Sequence, residues 1–373
     1  MISVHANTAA VGQLQIVAWE AISEGARRSA TSTFYAETYQ ALQQDVELCR
    51  HVIVALLQQT STIGQHLVRT DDVALVHSTT DGLATAVELI SGTLPAGSRA
   101  AISKRYFASA RLALTPLEEQ GVKIVEVGSD EGQLAPAALA DVPRLGMVVV
   151  DWVNHISGVR NEIGPLAEYC TNHSIPLVVD AVQGVGAIPL DFDIRYVDVL
   201  ACGGHKWLRG PEGTGFLYLN RRFLEGRRQS RYGYRSLENP ATFDVSFDQL
   251  RLADRARRIE TGTLNTLGFV GLRAAIRQLL DYGPDAAFRK IHEIVSAVMA
   301  VLGKKAVQIV TPKGSDKHAG IVSFRCDYRP SVALAEQLGS KGVVVGVRRG
   351  LVRISPSYDC DVDFLCSVLS TTI

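Results

Sequence analysis

Two short stretches carry residues whose types and spacing could do chemistry. The first, Leu177-Val178-Val179-Asp180-Ala181-Val182-Gln183-Gly184-Val185-Gly186, sets an acid at the carboxyl end of an apolar run, where open α/β sheets bind ligands. Taken alone, Asp180 reads as often as a helix cap or a metal ligand. The second, Gly203-Gly204-His205-Lys206-Trp207-Leu208-Arg209-Gly210-Pro211-Glu212-Gly213, brings Lys206 26 positions later, between two apolar strands and hemmed by glycines. A lysine so placed is desolvated or bonded, and desolvation lowers its pKa toward nucleophilic competence; the alternative is a surface lysine in a turn. Aspartate and lysine together suggest pyridoxal phosphate, with the lysine forming the Schiff base and the aspartate keeping the pyridine nitrogen protonated. An ion pair at ~4 Å with an effective dielectric of ~20 is worth about 4 kcal/mol, some three pKa units, enough to hold the ring cationic at neutral pH.

The elements that must position these groups read as an α/β fold. Val73-Ala74-Leu75-Val76 leads into a helix carrying Leu83, Val87 and Ile90, and further strands are expected at Ile124–Val127, Met147–Val150, Pro176–Val179, Val197–Leu200 and Gly215–Leu219. Runs apolar on both faces suit a mainly parallel sheet between helices. Helices expected near Leu267–Leu280 and Asp285–Leu302 precede a mixture of strands (Val307–Val310, Ile321–Phe324, Val343–Val345) and helices, which suggests a small α+β domain at the C-terminus. The expected division is a large cofactor-binding domain over 15–265 and a small one formed by 1–14 and 266–373.

Composition excludes several classes of partner. Lysine plus arginine and aspartate plus glutamate each number 38, so charge gives no reason to expect nucleic acid or an anionic membrane as the main partner. No run approaches the ~20 apolar residues that span a bilayer. The start lacks the pattern of a secretion signal. Six cysteines (Cys49, Cys170, Cys202, Cys326, Cys360, Cys366) lie without CxxC spacing, as reduced thiols in a cytoplasmic protein would, and no metal site is expected.

The stretch from His155 to Leu219 resembles the class V aminotransferase (cysteine desulfurase-like) family of fold-type I pyridoxal-phosphate enzymes, and the likeness extends from Asn7 to Val352-Arg353-Ile354-Ser355-Pro356. The resemblance implies that Lys206 binds the cofactor covalently, Asp180 pairs with the ring nitrogen, Gln183 hydrogen-bonds the phenolate oxygen and His205 lies beside the cofactor. In Ser78-Thr79-Thr80-Asp81, otherwise an ordinary N-cap, it makes Thr79 and Thr80 phosphate ligands at a helix start. It implies a ring stacked on the cofactor from Lys104-Arg105-Tyr106-Phe107, with Phe107 favoured over Tyr106; either could instead be core. Thr261-Gly262-Thr263-Leu264-Asn265, as a lone motif just a turn, resembles a loop whose threonine, here Thr263, reaches the neighbouring subunit's phosphate, so a homodimer with shared active sites is implied. Arg353, whose planar guanidinium suits a bidentate grip, takes the substrate α-carboxylate, and Asn7 joins it in substrate binding.

Departures from the family also matter. Gly203 stands where a phosphate-bonding serine is common, so one contact is missing. His155 replaces an asparagine near the phenolate oxygen, either as a polar contact or as a structural residue, and Phe107 replaces the histidine of desulfurases. The segment Val345-Gly346-Val347-Arg348-Arg349-Gly350-Leu351-Val352-Arg353 holds no cysteine, whereas desulfurases carry a nucleophilic cysteine on a loop before the arginine. A persulfide-forming desulfurase is therefore disfavoured at this level. The pattern is most similar to the branch containing the C–S lyase of ergothioneine biosynthesis and to lincosamide-pathway enzymes acting on S-linked cysteine. The expected reaction is β-elimination from an S-substituted L-cysteine conjugate, giving thiol, pyruvate and ammonia. Decarboxylation-coupled oxidative deamination, transamination and epimerisation stay open. Tyr35, Tyr232 and Tyr234 are candidates for lining the pocket around the sulfur substituent, although core or surface roles suit each.

Overall fold

The computed structural model describes residues 3–31, 35–62, 68–240 and 246–373. The strands, in chain order, are β1 (Val4–His5), β2 (Val73–Val76), β3 (Arg99–Ser103), β4 (Lys123–Val127), β5 (Leu145–Asp151), β6 (Leu177–Asp180), β7 (Val199–Gly203), β8 (Gly215–Leu219), β9 (Gln308–Ile309), β10 (Val322–Arg325), β11 (Val343–Val344), β12 (Gly346–Arg348) and β13 (Leu351–Ile354). Seven of them form one sheet in the order β2-β8-β7-β6-β5-β3-β4. Only β8 runs against its neighbours, pairing antiparallel with both β2 and β7. The chain is thus an α/β protein with a mainly parallel central sheet, as expected.

Alternation along the strands builds two cores. Leu177 and Val179 of β6 face one buried cluster, shared with Leu200, Phe216 and Trp152. Val178 faces the other, shared with Val199, Ala201 and Leu217. Period-two side-chain alternation makes a strand that is apolar throughout feed both faces. The helix Thr79–Ser91 covers one face, packing on β7 and β8. Two N-terminal helices, Ile16–Thr31 and Tyr35–Gln59, pack against Thr266–Tyr282.

The C-terminal part is a four-stranded antiparallel sheet, β12-β13-β10-β9, accompanied by the helices Pro284–Leu302, Ser331–Ser340 and Val362–Thr372. The N-terminal β1 pairs with β11, and Asn7 bridges to Ser355.

Three expectations of detail change. The strand placed at Val197 begins at Val199, because Ile194–Tyr196 forms a 3-10 turn that takes the Val197 N–H. The strand β3 went unseen, since its Arg-Ala-Ala-Ile-Ser sequence has little of the bulk that marks strands. The run Val343–Val345 divides into β11, which is Val343–Val344 alone, and a single residue before β12.

Candidate active site

Asp180 ends β6 and pairs in register with Ala201 of the parallel β7. The chain leaves β7 at Gly203 and turns through Gly204 and His205 to Lys206. Asp180 and Lys206 therefore emerge from adjacent strands at the carboxyl edge of the sheet. Both line a cavity of about 220 Å³. The lysine loop is held on two sides: the Gly12 N–H donates to the His205 carbonyl at 2.7 Å, and the Trp207 indole N–H donates to Gln183 Oε1 at 2.8 Å. Burial pulls the Lys206 amine down to about 8, with Arg353 and Arg348 adding to the effect and Asp180 opposing it. Burial raises the Asp180 carboxyl, while Lys206 and the Val182 N–H (3.1 Å) oppose that rise.

At one end of the cavity the helix Thr79–Ser91 presents its N-terminus. Ser78 is indeed an N-cap, accepting the Asp81 N–H at 3.1 Å. Thr79 Oγ1 is different: it is buried and has no partner among the described residues. Thr80 and His205 also line the wall. A Cβ on Gly203 would stand 3.0 Å from Thr79 Oγ1 and 3.1 Å from His205 Nδ1. Glycine there leaves open the space between the threonine and the histidine, so the absent serine hydroxyl is exchanged for room.

The middle of the cavity is walled by Phe107, His155 and Gln183. The Phe107 ring meets His155 edge-on at 5.3 Å and lies 5.7 Å from Lys206 Nζ. Tyr106 instead donates its hydroxyl to Glu126 at 3.1 Å and is not on the wall. Gln183 spends one N–H on the Ala9 carbonyl at 2.8 Å, which leaves its second N–H for a ligand. Burial, then Arg353 and Lys206, press His155 down to about 3, so its ring is neutral at physiological pH. Its Nδ1 is buried without a partner among the described residues.

Arg353, on β13, closes the cavity and is 1% exposed. One guanidinium nitrogen donates to the His155 carbonyl at 2.7 Å. Its Nε and Nη2 are buried and unpartnered among the described residues. Burial, reinforced by Arg348, lowers its pKa to about 10. Asn7 sits behind this group and not on the cavity wall: a Cβ on Gly346, opposite Arg353, would be 2.7 Å from Asn7 Oδ1. A buried cation without a carboxylate costs several kcal/mol, and such a cost is recovered when an anionic ligand arrives.

Thr263 lies apart. It is exposed, bonds the Tyr234 hydroxyl at 3.2 Å and does not line the cavity of its own chain. Tyr232 is exposed, and the side chain of Tyr35 is outside the described residues. None of the six cysteines lines the cavity; four are buried, and burial pushes the half-buried Cys360 up to about 12. Wider grooves exist, including one of about 470 Å³ beside His292 and His318. Size alone does not pick the site; convergence of unpartnered buried atoms does.

Sequence reasoning missed Asp151, Asn154 and Arg348. Asp151 ends β5 next to Asp180, accepts from Ser103 and Asn154, and is pushed up to about 7, chiefly by burial. Its signal was the same acid at a strand end that marked Asp180. Arg348 lines the cavity but lies in a run of arginines with nothing to single it out.

The residues fit pyridoxal phosphate: a helix start with a free buried hydroxyl, an acid at the far wall, a lysine of lowered pKa, and an unpaired arginine. Comparisons with known proteins agree. A probable cysteine desulfurase of Pyrococcus abyssi is 32% identical over 209 residues, 56% of this chain and 51% of the relative. A cysteine desulfurase of Klebsiella pneumoniae is 41% identical over 241 residues, 61% of this chain and 52% of the relative. The chain spans about half the length of the curated relatives it matches. In fold it is similar to a cysteine desulfurase from Thermococcus onnurineus (TM-score 0.83, 23% identity, 99% of this chain and 94% of that one). It is likewise similar to the cystine C–S lyase C-DES in complex with cysteine persulfide (TM-score 0.86, 20% identity, 99% and 97%).

These relatives overturn the expected β-elimination on S-substituted cysteine conjugates and the disfavouring of a desulfurase. The missing cysteine before Arg353 means that this segment supplies no sulfur-accepting thiol. The segment in question is a tight hairpin, β12 to β13, with no room for a thiol-bearing loop. The model of the aminotransferase class-V family matches residues 28–358, and the chain belongs to that family.

Proposed function

We propose that the protein is a pyridoxal-phosphate-dependent cysteine desulfurase-type enzyme that removes the sulfur of L-cysteine and leaves alanine. Bound in the cavity, the coenzyme supplies an electron sink for a carbanion at the substrate α-carbon. Asp180 would meet the ring nitrogen, Gln183 would offer its remaining N–H to the phenolate oxygen near the neutral His155, and Phe107 would stack on the ring. Thr79, Thr80 and the first-turn N–H groups of the helix Thr79–Ser91 hold the phosphate, with His205 beside them. Lys206, freed when substrate takes its place, is the base for the α-proton: an amine of pKa about 8 is neutral often enough near pH 7.5 and remains a good proton acceptor. Arg353 fixes the α-carboxylate, with Asn7 behind it, and so orients the breaking bond.

Since no cysteine lines the cavity, the sulfur passes to a thiol from outside, in a balanced exchange: cysteine plus thiol gives alanine plus persulfide. We propose further that two copies pair, with Thr263 of each reaching the other's phosphate site, and that the reduced thiols belong to a cytoplasmic enzyme. Among the described residues no helix is long and apolar enough to cross a membrane.

The observation that carries this reading is Arg353, buried with two donors unspent in the cavity that also holds Lys206 and Asp180. The test is to supply the purified holoenzyme with L-cysteine and an excess thiol, and to measure alanine and sulfane sulfur. Equal amounts of both are expected. Pyruvate in place of alanine, or no sulfur release, would overturn it.

A further inference from the structure

Two turns carry the rings that wall the middle of the cavity, and one amide side chain holds both turns. His155 belongs to the turn after β5, and Phe107 to the segment after β3. Between them stands Asn154, fully buried and off the wall. Its Oδ1 accepts the N–H groups of Ile156 (3.0 Å) and Ser157 (3.1 Å), which folds the chain around His155. Its Nδ2 donates to the Arg105 carbonyl at 3.2 Å, two residues before Phe107. Arg105 has a φ of 58°, a left-handed conformation that a non-glycine residue keeps only when its surroundings hold it. Gly132 makes room for the amide: a Cβ there would lie 2.7 Å from Asn154 Nδ2.

Asp151 fixes the amide in turn. It ends β5 beside Asp180 and is also off the wall. One of its oxygens accepts from Asn154 Nδ2 at 2.8 Å, and the other accepts the hydroxyl of Ser103, the last residue of the adjacent β3. Both donors are neutral, and Asp151 has no cationic partner within ion-pair distance among the described residues. The C-terminal part of the chain grips the same turn from the other side. The carbonyls of His155, Ile156 and Ser157 accept in succession from Arg353, Ser323 and Thr311. The turn is thus clamped between these donors and Asn154, so the direction of Arg353 depends on the same support.

We propose that Asp151 is a positioning residue for the coenzyme: through Asn154 it sets the separation and tilt of Phe107 and His155, and it does so as a hydrogen-bond acceptor and not as a charge. The inference rests on the coenzyme reading of the cavity and is independent of which substrate bond the enzyme breaks. Groups on a cavity wall hold their geometry only when a supporting layer locks them.

The test compares Asp151→Asn, Asp151→Ala, Asn154→Ala and the double alanine variant with the wild type. Fluorescence gives the coenzyme dissociation constant, and circular dichroism in the visible band of the bound coenzyme reports the asymmetry of the ring's surroundings. Asp151→Asn keeps an acceptor for Asn154 and a polar partner for Ser103, so both readings should stay within about twofold of the wild type. Asp151→Ala should raise the dissociation constant about tenfold and cut the dichroic band to about half. Asn154→Ala should match it, and the double variant should be no worse, since both residues act along one path. Should Asp151→Ala fail to fold, Ser103→Ala, which loosens Asp151 and spares Asn154, should show a smaller change of the same sign. Unchanged binding and dichroism in these variants, Asp151→Asn as damaging as Asp151→Ala, or effects that add in the double variant would overturn the inference. A wild type that takes up no coenzyme overturns the reading of the cavity itself, whereas uptake that ignores position 151 overturns only the role given to Asp151.

Discussion

Among the described residues, the buried arginines beside Glu260 are paired with carboxylates and Arg353 in the cavity is not. Near the edge strand β2, the enclosed carboxylate of Glu260 meets Arg50 at 2.8 Å and Arg235 at 3.1 Å, and accepts the Leu75 N–H at 2.9 Å. Burial would lower Arg50, but Glu260 and Glu47 more than offset it and raise its pKa. In the cavity Arg353 is at least as enclosed, yet its charged neighbours include Arg348 and Lys206, and its pKa falls. The first group is neutralised within the chain and supports the fold. The second leaves cationic donors unspent, a cost the fold carries for a ligand. The contrast separates structural from functional arginines by partner and not by burial.

The largest effect that bears on this contrast belongs to Lys206. Lys206→Ala should lower sulfur release by about 10³-fold or more, as loss of a covalent catalytic group does, with the melting temperature little changed. Glu260→Ala should be the most destabilising of the charge changes, by ~3 kcal/mol, because it removes the enclosed carboxylate between two buried guanidiniums and leaves them only the half-buried Glu47; denaturant unfolding reads it. Arg353→Ala should do the reverse, leaving stability unchanged or slightly higher while KM for L-cysteine rises ~10–100-fold, the worth of lost bonds to a charged group. Equal destabilisation by the two substitutions would erase the distinction.

A pH profile sharpens it. Lys206 captures the coenzyme only as the neutral amine, and its pKa is held near 8 by burial and by Arg353 and Arg348. The capture rate should climb about tenfold per pH unit below 8 and level off above it, and the midpoint should move upward in Arg348→Ala and Arg353→Ala. A profile flat from pH 6 to 9 contradicts the assignment. The smallest effect is expected at Gly203. Gly203→Ser would crowd Thr79 and His205, and the coenzyme dissociation constant, followed by fluorescence, should rise a few-fold; tighter binding would mean that the added hydroxyl reaches the phosphate after all.

The same contrast explains what could be read in the sequence. The cofactor end was legible because long apolar strands announce themselves, and an acid or lysine at their carboxyl edge stands out against them; Asp180, Lys206, Thr79 and Phe107 all line one cavity. The direction of β8 was not legible, since side-chain pattern carries no strand polarity. Arg348 was hidden because its meaning lies in a register with Arg353 that only the hairpin turn sets. Asn7 sits one layer behind the wall, and Thr263 faces away from its own cavity, placements that local sequence does not encode. The reaction was not legible because a chain without a cysteine before Arg353 does not say whether the sulfur-accepting thiol comes from elsewhere.

Borohydride reduction of the coenzyme-loaded protein, followed by peptide mapping, tests the central claim most directly. The reduced coenzyme should be found on the peptide that contains Lys206 and nowhere else. A label on another lysine, or no label, would contradict the assignment of this cavity.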